Sequence, residues 1–445
     1  MLDETEARRR LAAAVPDNVR AVCATLTAAG HQAVTVGGAV RDAILGRAPG
    51  DWDIATSAHP DEVLALFRRT IPTGLQHGTV TIVTGKGVDS HVEVTTFRGE
   101  GAYTDARRPD SVTFGVPLID DLARRDLRVN AMAYDPASDQ LIDPYQGRVD
   151  LEEGQLRAVG PTGDVYTDAV ARFTEDGLRV MRAVRFAASL ELALDADTER
   201  GIVPALPSLA KVSKERISDE LDKLLRTREP SRGLAIAERT GIIALILPDL
   251  AEAFDRSSDR AEVVARWLAR IDAAPRGERL AAMFVELGDP AFDPRRRDMR
   301  LSERVDTILR ALKFSNAEAQ AAAYVASVVR AAEVADLSPL ETRALFASIG
   351  REHAPRAVAV WKVHAPRHDA VIAEAERILA AREPLAGKDL AVTGKDLIDA
   401  LKLAPGPAIG RILALLLDRV LAEPALNTRE QLLALAQQLE LQVGR

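Results

Sequence analysis

The stretch "GGAVRDAILGRAPGDWDIAT", residues 37–56, decides how the chain is read. It follows a β-branched run, "AVTV" (Ala33–Val36), so a strand ends at a glycine pair and a helix begins. Where no side chain intervenes, backbone N–H groups at a helix start can approach a phosphate closely, which marks Gly37 and Gly38. Arg41, one turn further on, reaches the same anion with a two-pronged guanidinium. Asp51 and Asp53 stand at i and i+2 of an extended segment, with both carboxylates on one side and Trp52 turned the other way, into the core. Hard divalent cations take such oxygen ligands, commonly one or two carboxylates plus substrate phosphates. Alone, Asp-x-Asp is more often an acidic turn than a metal site. A glycine pair, an arginine and Asp-x-Asp within about fifteen residues form a more specific constellation.

Outward from this stretch, "TVTIVT" (79–84) and "HVEVTTF" (91–97) read as further strands, and "PDEVLALFRR" (60–69) as a helix with an acidic first turn. Glu93 is the odd polar position between Val92 and Val94. If its strand neighbours the Asp pair, three acids converge, the arrangement needed for two-metal phosphoryl or nucleotidyl transfer. Beyond about residue 145 the texture changes to Ala-, Leu- and Arg-rich segments of period 3.6. The outline is a small α/β head at 1–145, then helical units at 146–240, 241–383 and 384–445.

The 445 residues are 47% apolar and 28% charged, the balance of a soluble globular chain too long for one core. No apolar run approaches the ~20 residues that span a bilayer, so no membrane partner is expected. "MLDETEARRR" lacks the apolar stretch of a secretory signal. Cys23, the only cysteine, excludes an internal disulfide framework and a Cys-rich zinc site. A cytoplasmic location is expected. The net charge of −8 does not decide between nucleic-acid and small-molecule partners, because arginines cluster in "ARRDLR" and "LRVMRAVRF".

In "EDGLRVMRAVRF" (175–186), Glu175, Asp176, Arg179, Arg182 and Arg185 recur at spacings near three and read as one face of one helix. Leu178, Met181 and Val184 form the apolar stripe beside it. Without context this is a salt-bridged surface helix. "ARRDLRVNA" (123–131) likewise reads, on spacing alone, as an amphipathic helix with a solvated basic face.

Taken together, "GGAVRDAILGRAPGDWDIAT", "HGTVTIV", "VEVTTFR", "YTDARRPDSVTF", "DDLARRDLRVNAMAYDP", "LIDPYQGRVDLEEGQLRAVG" and "FTEDGLRVMRAVRFAASL" resemble, in order, the motifs of the class II tRNA nucleotidyltransferase and bacterial poly(A) polymerase family. The match covers roughly residues 30 to 190. "VSKERISDELDKLL" and "LAVTGKDLIDALKLAPGPAIGRIL" resemble later segments of long members. The resemblance implies an α+β fold: a DNA polymerase beta-like nucleotidyltransferase head with a mixed sheet, then a helical neck, body and tail. It implies Mg²⁺ as cofactor on Asp51 and Asp53, with Glu93 completing the catalytic acids. Gly37, Gly38 and Arg41 would hold the triphosphate, and Arg125, Asp126 and Asn130 would line the nucleotide pocket. Asp176 and Arg179 would read the base, with Glu175, Arg182 and Arg185 around them. Cytosine and adenine each present an amine donor beside a ring-nitrogen acceptor, which a carboxylate and a guanidinium match; uracil and guanine present the reverse.

The implied activity is template-independent addition of CCA to the tRNA 3′ end from CTP and ATP, with no obligate protein partner. A-adding, CC-adding and poly(A)-polymerising sister activities share these motifs, and a non-catalytic RNA-binding relative is the remaining alternative. "FRGEGAYTDARRPDSVTF" resembles the flexible loop that CC-adding members typically lack in functional form, which favours addition of the final A. The middle of the chain resembles a phosphohydrolase domain whose His-Asp doublet is replaced by Val285 and Glu286. No histidine lies between His91 and His353, so a multi-imidazole metal site is excluded there. "HAPRHD", with His364 and His368, reads as a surface loop.

Overall fold

The computed structural model describes residues 3–75, 78–87, 90–100, 112–365 and 367–443. The chain divides into two compact units, Met1–Pro248 and Asp249–Arg445.

The first unit opens with α1 (Glu4–Ala14) and α2 (Asp17–Ala28), followed by β1 (Ala33–Val36), α3 (Gly38–Ile44), β2 (Asp53–Thr56) and α4 (Pro60–Leu66). Next come β3 (Thr70–Gly74), β4 (Thr79–Val83), β5 (His91–Thr96) and the short pair β6 (Arg98–Glu100) and β7 (Val112–Phe114). After α5 (Leu118–Ala123) lie β8 (Ala133–Asp135), β9 (Gln140–Ile142), α6 (Gly147–Glu153) and β10 (Gln155–Leu156). The unit then turns helical: α7 (Val165–Glu175), α8 (Leu178–Leu190), a two-residue β11 (Ala193–Leu194), α9 (Ala196–Arg200), α10 (Ile202–Leu209), α11 (Lys214–Leu225) and α12 (Ser231–Arg239).

Seven strands form one mixed sheet in the order β3-β4-β5-β2-β1-β8-β9, and only β2 and β5 run parallel. Every residue of β1 is buried, as a central strand covered on both faces requires. Val34 and Val36 pack with Ala55, Phe97, Leu118 and Leu122 in one cluster. Full burial of each such large side chain stabilises by roughly 1.5–3 kcal/mol. In β5, Val92 and Val94 point into the core while Glu93 stays exposed. Trp52 is buried, as its place between the two aspartates implied.

One expectation fails here. Residues 175–185 do not lie on a single helix: α7 ends at Glu175, Asp176 is extended, and α8 begins at Leu178. A Cβ on Gly177 would lie 2.3 Å from the backbone of Ser208 and Leu209, so the break sits where the α10 backbone crosses with no room for a side chain. The Asp-Gly pair was the available sequence signal for that turn. "ARRDLRVNA" also departs from a helix. It follows the end of α5 as an irregular segment, closed by a 3-10 turn at Arg128–Asn130.

The second unit is helical throughout its described elements. One core gathers Phe346, Trp361, Val371 and Ile378, and another gathers Leu397, Ile412, Leu416 and Leu432. Two buried tryptophans satisfy their indole N–H groups on backbone carbonyls, Trp267 on Met283 at 2.9 Å and Trp361 on Val328 at 3.0 Å. His364 departs from the surface-loop reading. It ends the helix Ala354–His364, its side chain is 5% exposed, and its Nε2 lies 2.8 Å from Glu333. Among the described residues, no helix is long and apolar enough to cross a membrane.

Candidate active site

The edge of the sheet where β1 ends brings the opening motif together. Val36 lies opposite Asp53 in the β1–β2 ladder, so the glycine turn that follows β1 starts beside the second aspartate. Gly37 has φ +78°, a backbone conformation that strains any residue with a side chain, and a Cβ there would meet the flexible end of Arg125, its Nη1, at 2.8 Å. Across the parallel pair, Asp53 and Glu93 are in register, placing their carboxylates as direct neighbours on the exposed face. Asp51 lies in the bend just before the strand, also exposed. Crowding by surrounding atoms, then the like charges of Glu93 and Asp51, push the Asp53 carboxyl up to about 6, against the opposing pull of Arg125. Asp53 remains solvent-exposed, so the like charges matter more to it than dehydration. Among the described residues, no group of three or more His, Cys, Asp or Glu is set closely enough to hold a metal ion. Asp53 and Glu93 stand side by side, and Asp51 is near enough for its charge to act on Asp53.

Arg41 is buried, donating from Nη1 to Asn130 Oδ1 at 2.5 Å and from Nε to Asp42 at 2.8 Å. Asn130 in turn donates to Asp126 Oδ1 at 2.8 Å. Asp126 Oδ2 accepts from Arg182 Nε at 2.7 Å, so a continuous chain of hydrogen bonds runs from α3 to α8. Burial alone would raise the Asp126 carboxyl. Arg182 and Asn130 outweigh it and hold the group well below the usual carboxylate range. The ring of Phe186 closes the loop, with the guanidinium groups of Arg41, Arg182 and Arg185 at 5.3, 5.2 and 4.0 Å from its centroid. Arg125 contacts Asp121 at 3.5 Å, and dehydration pulls its pKa down.

At the α7–α8 junction the residues expected to read the base are also held. Arg179 Nη1 donates to Glu175 Oε2 at 2.7 Å and to the Arg172 carbonyl at 3.2 Å. Asp176 accepts from the Leu178 backbone N–H at 3.0 Å and from Arg216 Nη2 at 2.9 Å. Arg185 pairs with Glu220 at 2.5 Å. Arg216, Glu220 and Phe186 were not singled out from the sequence. The first two sit at i and i+4 on α11, the one local hint that they share a face. Buried Arg125 Nε and Arg216 Nη1 have no hydrogen-bond partner among the described residues, leaving donors beside the glycine turn and beside Asp176. Of the loop between β6 and β7, residues 101–111 lie outside the described residues.

Three family models match the chain. The "Poly A polymerase head domain" matches residues 33–157, the "Probable RNA and SrmB- binding site of polymerase A" residues 191–254, and the "tRNA nucleotidyltransferase domain 2" residues 298–436. The CCA-adding enzyme of Geobacillus thermodenitrificans is 38% identical over 409 residues, covering 91% of this chain and 92% of that protein. The CCA-adding enzyme of Lactococcus lactis subsp. lactis is 34% identical over 408 residues, covering 91% and 93%. Among solved structures, the Bacillus stearothermophilus CCA-adding enzyme in complex with CTP aligns at a TM-score of 0.74 and 31% identity, covering 97% of this chain and 99% of that one. The Thermotoga maritima CCA-adding enzyme complexed with tRNA, at 17% identity and a TM-score of 0.67, shares the fold over 97% of each chain.

Proposed function

The chain belongs to the CCA-adding enzymes of the class II tRNA nucleotidyltransferase family, and on that premise we propose how its residues divide the work. The reaction is template-independent addition of CCA to the tRNA 3′ end from CTP and ATP, with release of pyrophosphate. Membership implies use of a divalent metal, and we assign Mg²⁺. Asp51 and Asp53 would hold it, with Glu93 beside them; exposed carboxylate oxygens crowded by like charge are the donor set a hard cation takes. An ion held there would supply charge neutralisation at the phosphates and a lowered pKa for the attacking hydroxyl.

The protein's own residues do the rest. The bare glycine turn at Gly37 and Gly38 leaves the backbone open to the triphosphate, with Arg41 and Arg125 supplying positive charge. Asp126 and Asn130 orient Arg41 rather than touching the nucleotide themselves. Asp176 accepts from the exocyclic amine of cytosine or adenine, and Arg179 donates to the neighbouring ring nitrogen. Glu175 and Arg216 fix those two side chains before the base arrives. Arg182 and Arg185 brace α8 through Asp126 and Glu220. The cytoplasm is the compartment where such an enzyme meets its tRNA.

The observation that carries the assignment is the in-register pairing of Asp53 with Glu93, next to the glycine turn. The test supplies Mg²⁺ and each triphosphate, singly and together, to tRNAs ending at the discriminator base, at C and at CC. Addition of C, C and A in turn, and then a stop, is expected. Arrest after CC, or a growing A tail, would overturn the assignment.

A further inference from the structure

The second unit carries a cavity of about 500 Å³ whose lining includes none of the candidate active-site residues. It lies around the turn that holds Val285 and Glu286. Its lining is cationic. Arg266 and Arg270, one turn apart on the helix Arg260–Ala273, share a single carboxylate, Glu286, at 3.5 and 2.8 Å. Arg330 and His364 share Glu333 at 3.2 and 2.8 Å. Arg256, exposed, joins the same lining. Four guanidinium groups against two carboxylates leave two positive charges, since burial pushes the His364 imidazole below its ordinary value and keeps it neutral at pH 7.

Two of these groups lie deep. The Arg270 and His364 side chains are each 5% exposed. His364 Nδ1 is buried with no hydrogen-bond partner among the described residues. A buried polar atom left without a partner costs stability unless something satisfies it. Guanidinium groups match phosphate oxygens, while Glu286, Glu333 and the imidazole match hydroxyl and amine donors. The volume falls within the range of small-ligand sites.

We propose that this cavity is a second, non-catalytic binding site for a mononucleotide, with its phosphate on the arginines and its ribose or base toward Glu333 and His364. A polymer backbone running along the surface would not reach Arg270 or His364.

The test photolabels the full-length protein with 8-azido-AMP and maps the labelled peptides, which separates label in this cavity from label in the first unit. Label within residues 253–290 or 329–364 is expected, displaced by AMP but not by adenosine. The double variant Arg256→Ala/Arg266→Ala removes exposed side chains only. It should lose that label at least tenfold while retaining its melting temperature and CCA addition. A charge reversal, Arg266→Glu, gives the same loss by a second route. No label in these segments, label that survives both variants, or displacement by adenosine or tRNA as effective as by AMP would overturn the site.

Discussion

Asp51, Asp53 and Glu93 are exposed carboxylates, and among the described residues none is hydrogen-bonded to a guanidinium. Asp126, Glu175, Asp176 and Glu220, a short way off in the same unit, each accept from an arginine. The difference separates two ways of building a site. The acidic end carries no hydrogen-bonded guanidinium and feels only the nearby charge of Arg125 on Asp53, so a cation arriving there gains the attraction of the carboxylates without displacing a hydrogen-bonded partner. The proposed reading end is already neutralised, so its side chains are held in place, and on that proposal a base would have to compete with Glu175 and Arg216 for them. Pre-placed polar groups of this kind discriminate because the wrong base leaves them unsatisfied.

Removing a metal-end carboxylate is the sharpest way to break the comparison. Asp53→Ala should lower the rate of nucleotide incorporation by roughly 10³-fold or more, the several kcal/mol that a bound metal contributes to a transition state. The binding of tRNA should be unchanged, and single-turnover kinetics beside a filter-binding titration would show both. A variant that loses tRNA affinity yet incorporates normally at saturation would mean the carboxylate is structural.

Next in size is the reading end. Asp176→Ala should lower discrimination of CTP over UTP by about 10²-fold before it abolishes transfer, as expected when one member of a buried readout pair is lost. Arg216→Ala removes only the group that steadies Asp176. It should cost about tenfold in kcat/KM for both correct nucleotides, the scale of one charge-assisted hydrogen bond, with base preference kept. Equal loss of selectivity in the two variants would erase the distinction between contacting and positioning residues.

Much of this was legible in the sequence, and unevenly so. The acidic end could be read because its logic is local: glycines after a strand, Asp-x-Asp at period two, and one glutamate between valines. The register of Asp53 against Glu93 was a conditional expectation that the β2–β5 pairing meets. The reading end was seen only in part, because its partners are far apart in sequence. Arg216 lies 40 residues beyond Asp176, and Arg182 lies 56 beyond Asp126. Periodicity cannot report such pairs. It also misled directly: spacings of three carried the eye across Gly177 and made two helices into one. His364 was misread for a similar reason, since its burial depends on Glu333 from a different element.

Gly177 offers a smaller test of the same lesson. Gly177→Ala would drive a methyl group into the Ser208–Leu209 backbone and should destabilise the first unit by about 2 kcal/mol, typical of overpacking. Gly410, in the helix Pro407–Ala422 with open space at its Cβ, is the contrasting glycine. Gly410→Ala should stabilise by about 0.5–1 kcal/mol through helix propensity alone. Denaturant unfolding of both variants reads the difference, and a neutral Gly177→Ala would mean that α10 can yield.

The smallest expected effect probes the crowded like charge itself. The Asp53 carboxyl titrates near 6 in the folded protein, above its ordinary value of 3.8. Between those two values the unfolded chain has already released the proton that the folded chain still holds. Stability therefore falls as pH rises from about 4 to about 6, and this contribution is fully lost above 6. In metal-free buffer, the melting temperature of the wild type should decline across that window more than that of Asp53→Asn, which has no proton to lose. Added Mg²⁺ should flatten the wild-type slope and leave the variant unchanged. Because Asp53 is solvent-exposed, screening keeps the difference small. Parallel slopes for the two proteins without metal would show that the like charges of Asp51 and Glu93 are already dissipated by water, and the acidic end would lose its contrast with the reading end.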